Sequence, residues 1–236
     1  MTARLGLTAR HALAVAGLGA GLCVPDAASA QRVVDRLEVA LIGTVSRPTG
    51  NAIFTQTTTT GSVGGTWLGG AIEGRLDRWS LTLTGLLGDL ELSGSSADAR
   101  AAGEQSGILR YQWKPWLSAE ASYTARETYD ARWHIPGIGG VVRQTLGDST
   151  LQAFGRLALL PFVSVDGWQS PSIGVGSEVG LAVNPRRGPL TVLLSYRFER
   201  YSFPGDSTGN TEFEVAQFDQ LQLQVRWVVR RPRVRG

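Results

Sequence analysis

The side chains that could do chemistry in this chain are few in kind. Histidine occurs twice, and beyond the first thirty residues only His134 is present. It sits in Trp133-His134-Ile135-Pro136-Gly137, a stretch that reads as a loop. A hydrolytic histidine needs a nucleophile and an orienting acid within hydrogen-bond reach. Asp130 stands four residues earlier and no serine lies within two residues of His134, so neither an Asp-x-His nor a His-Ser arrangement is offered locally. No catalytic residue is assigned on this pattern. A hydrolase built on loop His134 is the alternative. The residues after position 30 contain no cysteine, and no Cys/His cluster offers a metal site. No glycine-rich phosphate loop follows a strand and opens a helix, so no cofactor is expected.

The remaining candidates are charged and regularly placed. Glu38, Glu73, Arg75, Arg110, Glu120, Arg143, Arg156, Glu178, Arg197 and Arg226 each fall on the polar parity of a segment whose other parity is apolar. Period-2 spacing puts them on one face of extended chain, so the elements that position them must be strands. The last stretch shows the plan most cleanly. Leu221, Leu223, Val225, Trp227 and Val229 alternate with Gln222, Gln224, Arg226 and Val228.

Ten segments share this plan. Their apolar bands run over 37–45, 68–76, 79–87, 107–113, 117–125, 138–146, 151–159, 175–183, 190–198 and 221–229. The sixth is weakest, because Gln144 interrupts its apolar row, and merging it and its neighbour into one long loop would leave eight strands as the alternative. Connections alternate between short turns, such as Asp77-Arg78, and longer Gly/Ser/Thr/Asp-rich loops, such as Pro48 to Gly65 and Ser93 to Ser106. Short turns at one end and long loops at the other suit a membrane barrel with periplasmic turns and extracellular loops. A β-sandwich has no reason to sort its loops in this way. Nine tilted residues span about 23 Å along the membrane normal, close to the apolar band of about 25 Å. The fold expected is therefore all-β: one closed antiparallel transmembrane barrel of ten strands.

Counting heights from the short-turn end pairs Glu120 with Arg143, Arg156 with Glu178, and Glu38 with Arg75, with Glu38 also near Arg226 where the barrel closes. These pairs predict an interior ion-pair network. Where the apolar rows continue toward the long loops they turn charged, at Arg47, Asp89, Glu127, Arg200 and Asp219. An aromatic girdle is expected from Trp79, Trp113, Trp116 and Trp227 near the short turns, and from Tyr196, Phe198 and Tyr201 toward the long loops. Such rings favour headgroup depth because they are part apolar and part hydrogen-bonding.

The net charge of +3 misleads about the body of the chain. Residues 31–225 hold 16 basic and 19 acidic side chains, while five arginines crowd the last eleven positions. Nucleic-acid binding is not read from that tail. At the other end, Arg4 and Arg10, an apolar run from Ala12 to Val24 and Ala28-Ser29-Ala30 have the layout of a secretory signal peptide, cleaved before Gln31. The organisation expected is a signal over 1–30, a barrel over 31–230 and a basic periplasmic tail over 231–236.

With these ten bands, sorted loops, aromatic belts and export signal, the chain resembles small bacterial outer-membrane β-barrel proteins. The resemblance implies a location in the bacterial outer membrane, outer-membrane lipid as surroundings and the barrel assembly machinery as a partner. It departs from the pattern at its end, since such proteins commonly finish at an aromatic closing the last strand. Here Trp227 and Val229 are followed by Arg230-Arg231-Pro232-Arg233-Val234-Arg235-Gly236. The functional expectation is a non-enzymatic barrel, either a narrow pore for a small-molecule solute or a scaffold for surface loops. The alternatives are the barrel hydrolase and a soluble exported sandwich or lipocalin-like binder.

Overall fold

The computed structural model describes residues 36–46, 63–92, 100–128, 131–147, 150–167, 170–184, 188–203 and 215–229. The proposed signal segment, Asp130, Arg47 and the basic tail lie outside these residues. Eleven strands follow in order: β1 (Arg36–Ser46), β2 (Val63–Leu76), β3 (Trp79–Leu92), β4 (Arg100–Lys114), β5 (Leu117–Thr128), β6 (Ala131–Leu146), β7 (Leu151–Leu160), β8 (Ser164–Val165), β9 (Ile173–Val183), β10 (Leu190–Ser202) and β11 (Val215–Val229). All but the two-residue β8 are staves of one ring. Each pairs antiparallel with its neighbours, β7 beside β9, and β1 closes on β11 from Leu37 opposite Val229 to Ser46 opposite Gln220.

The two parities of every stave lie in opposite solvents. Leu41, Leu68, Leu157 and Val179 point outward and are exposed, Leu41 to 70%. The interior holds Thr44, Ser118, Glu120, Gln220 and Gln224, all buried. An apolar belt around the whole circumference, with polar groups inside, is stable only where hydrocarbon surrounds the wall. That arrangement inverts a soluble sandwich or binder, whose apolar rows would meet inside, and so overturns that alternative.

Several staves run further toward the long loops than their apolar bands. β4 starts at Arg100 rather than 107, within the stretch read as loop, and β6 starts at Ala131. His134 and Pro136 therefore belong to a strand, paired opposite Ala125 and Tyr123. This corrects the loop assignment. Proline argues against a central strand because it cannot donate to the ladder, and here it hid one. β8 also escaped the sequence reading, since two residues carry no period; it pairs with Trp133 and His134 on β6.

Close approach of staves explains two inward-facing glycines. A Cβ on Gly69 would lie 1.9 Å from the Gly85 carbonyl oxygen, and one on Gly139 would lie 2.2 Å from that of Leu157. No side chain fits at either position, which lets the wall bend sharply into a ring.

Candidate functional site

In the long-loop half of the bore, four charges from three staves form a closed ring. Arg126 on β5 donates through Nε to Glu104 Oε2 at 2.8 Å and through Nη1 to Glu199 Oε2 at 2.8 Å. Arg197 on β10 donates through Nη1 to Glu104 Oε1 at 2.8 Å and through Nη2 to Glu199 Oε1. Opposite signs thus alternate around the ring. β4 and β10 are five staves apart in a ten-stave barrel, so the ring braces the bore across its diameter. Burying such charges is costly unless each is paired and hydrogen-bonded, and here every carboxylate oxygen of the ring accepts at least one bond.

An apolar lid covers the ring on its long-loop side. The Tyr201 hydroxyl donates to Glu199 Oε2 at 2.7 Å, and the Phe218 ring lies 4.8 Å from the Arg126 guanidinium carbon. Trp133 packs on Tyr201 with ring centroids 5.2 Å apart and on Phe218 at 5.5 Å. Ile135, Leu160, Val163 and Val165 fill in around these rings. β8 thereby has a role: it delivers Val165 to the lid. Tyr201 is 0% exposed, which corrects its expected place in the outer girdle. It stands five positions after Tyr196, an odd offset, so the pleat turns the two to opposite faces.

The short-turn half holds a second set of ion pairs. Glu120 accepts from Arg110 Nε at 3.0 Å and from Arg156 Nε, while Arg156 Nη1 lies 3.9 Å from Glu178, its register partner. Arg226 Nη1 is 3.5 Å from Glu73 and 4.0 Å from Glu38, and Glu38 also contacts Arg36 at 2.7 Å. Two pairs differ from those read from height alone. Glu120 stands opposite Gly139, which leaves Arg143 nearer the turn end, bonded through Nη1 to Ser118 Oγ at 3.4 Å. Glu38 stands opposite Glu73, and Arg75 donates instead to the Gln112 side-chain oxygen. Barrel shear offsets neighbouring rows, and counting from the turns ignores it.

Glu104, Arg126 and Glu199 were missed by the sequence reading, yet their signal was present. Each continues an inward row at an even spacing: Glu104 six before Arg110, Arg126 six after Glu120, and Glu199 two after Arg197. They lay past the assumed ends of the apolar bands. Below the ring a cavity of about 440 Å³ opens toward the short turns, where Arg78, Pro115 and Thr150 line its mouth. Among the described residues no group of three or more His, Cys, Asp or Glu could hold a metal ion.

The outer wall carries the rest of the candidates. Trp79, Trp113, Trp116, Trp227 and Tyr196 are exposed there, with Phe198 half-buried on the same outward row. Asp89, Glu127 and Arg200 are exposed on outward rows. Asp219 is on one too, but it is covered by Tyr196, whose hydroxyl donates to it, and by Gln217 Nε2 at 3.1 Å. His134 also faces outward. Its Nδ1 is 2.6 Å from the Tyr123 hydroxyl and its Nε2 is 3.5 Å from Asp166 Oδ2. Ser164 is its backbone partner on β8, but both ring nitrogens are directed to other groups, so neither is poised to take a serine proton.

No family model and no curated protein matches this chain. Solved structures do. The outer membrane protease OmpT of Escherichia coli superposes with a TM-score of 0.50 at 11% identity, over 83% of this chain and 97% of that one. LpxR from Salmonella typhimurium matches at a TM-score of 0.41 and 8% identity, over 80% and 99% of the two chains. Neisserial surface protein A matches at 0.37 and 15%, over 81% and 96%. The chain thus has the fold of the small bacterial outer-membrane β-barrel proteins.

Proposed function

We propose that the protein is an integral outer-membrane barrel without catalytic activity, whose bore is shut and whose work is to hold its long loops at the cell surface. The observation that carries this reading is the double closure of the bore. A neutral ring of four buried charges spans the diameter, and an aromatic lid seals one side of it. A pore needs a continuous watery path, and a barrel of this strand number leaves little room for one once side chains fill it. The outward apolar belt supports residence in the outer membrane, with the short turns in the periplasm.

The absence of catalysis is proposed from the use of His134. On the lipid side of the wall, between Tyr123 and Asp166, it serves best as a hydrogen-bonded member of the outer belt. The full chain reconstituted in planar bilayers is expected to give no steady conductance steps. Regular steps from the unaltered protein would overturn the closed reading and restore the pore. A lipid or peptide hydrolase activity that disappears in His134→Ala would overturn the non-catalytic one.

A further inference from the structure

The cavity on the short-turn side has a charge balance that the closed-bore reading does not use. Eight arginines and four glutamates line it. Most of these guanidiniums have a carboxylate: Arg110 and Arg156 share Glu120, Arg197 is held in the ring, Arg226 faces Glu73, and Arg36 contacts Glu38. Arg78 stands exposed at the mouth, and Arg75 and Arg143, deeper in, differ from the paired five. Arg75 donates to two neutral oxygens, the Gln112 side chain and the Asp77 backbone carbonyl at 3.3 Å. Arg143 donates to Ser118 Oγ, at 3.4 Å. Among the described residues neither forms an ion pair.

These two groups are not scattered. Arg75, Arg110, Arg143 and Arg226 all line the one cavity, with Glu73 among them. Four guanidiniums from β2, β4, β6 and β11 therefore converge on one space, around the circumference rather than along one wall. Like charges held together in a partly enclosed space favour a counter-ion strongly, because low-dielectric walls weaken the screening by water. The guanidinium fork matches the oxygens of phosphoryl groups, and several forks at different angles suit a multiply charged anion better than a single carboxylate. A volume of about 440 Å³ lies within the range of small-molecule sites.

We infer that the short-turn cavity is a binding site for a phosphate-class oxyanion, held by Arg143 and Arg75 with Arg110 and Arg226 beside them. The ring of buried charges forms the floor of this site, so the anion enters and leaves by the same mouth. The inference goes beyond the proposed function and needs only the barrel and its interior. The phosphoryl chemistry could come from a free inorganic diphosphate or from a soluble phosphate ester.

The test is isothermal titration of the full-chain, detergent-folded barrel with inorganic pyrophosphate in a low-salt, phosphate-free buffer. Glycerol 2-phosphate forms the parallel arm. Saturable binding that weakens as sodium chloride is raised is expected. Tighter binding in the first arm assigns the free anion, and tighter binding in the second assigns an ester. Arg143→Gln is expected to weaken binding at least tenfold, and Arg75→Gln to weaken it measurably. Glu73→Gln removes the opposing carboxylate and is expected to strengthen it. Each variant is first shown to fold by heat-modifiable gel migration; if Arg143→Gln does not fold, Arg75→Gln and Glu73→Gln carry the test. No saturable binding in either arm would overturn the inference. So would affinity unchanged within twofold in the folded Arg143→Gln variant, or, where that variant does not fold, in both of the others.

Discussion

Glu104 accepts from both arginines of the buried ring, and its loss would leave two cations facing a single carboxylate. Breaking a buried ion pair by removing one partner costs far more than replacing the pair by apolar groups, because the orphaned charge cannot reach water. Glu104→Gln is accordingly expected to destabilise the folded barrel by roughly 3–5 kcal/mol, read from denaturant unfolding in micelles. The double variant Glu104→Leu with Arg126→Met leaves Arg197 and Glu199 as a matched pair. It is expected to lose less than the single variant does. A double variant weaker than Glu104→Gln would show that packing, rather than charge balance, sets the stability of this region. The individual members of the ring were legible in the sequence only as a parity. Which glutamate meets which arginine depends on staves far apart in the chain, as Arg197 reaching Glu104 illustrates.

At the scale of single staves, the glycines divide into those whose replacement by a side chain would break the wall and those whose replacement would not. A Cβ at Gly139 meets backbone on β7, whereas one at Gly155, on the outward row, meets nothing within 4 Å. Gly139→Val is expected to abolish the compact, heat-modifiable gel band, and Gly155→Ala to keep it. Outward rows could be read from sequence because hydrocarbon imposes one rule on every position it touches. That rule stops at the edge of the membrane. Residues 100–106 of β4 are Arg-Ala-Ala-Gly-Glu-Gln-Ser, with no apolar alternation, a composition that by itself reads as loop. The same limit concealed the start of β6. Register was harder still, since Glu38 faces Glu73 rather than Arg75 only because neighbouring rows slide past one another. A periodic pattern reports which face a residue takes, not which neighbour it meets.

For the whole molecule, closure of β1 on β11 is the property on which the bore depends. Leu41 and Val225 are register partners across that seam. The sequence has a single cysteine, Cys23, which lies outside the described residues. Leu41→Cys with Val225→Cys, in a Cys23→Ser background, is therefore expected to form an intrachain disulfide on oxidation, seen as a shift between reduced and non-reduced gels. Leu41→Cys with Leu194→Cys, on staves that do not touch, serves as the control expected to stay reduced.

The diametral brace also has a temporal meaning. Glu104 and Arg126 come from staves made early in the chain, while Arg197 and Glu199 arrive with the hairpin of β10 and β11, next to the seam. Until that hairpin docks, the early pair lacks half its counter-charges and must stay hydrated. The level of the ring is thus obliged to remain wet during assembly and to lose its water only when the last staves swing in. The four charges then act as a latch that engages after the wall is complete, and a barrel lacking its final hairpin has no way to shut.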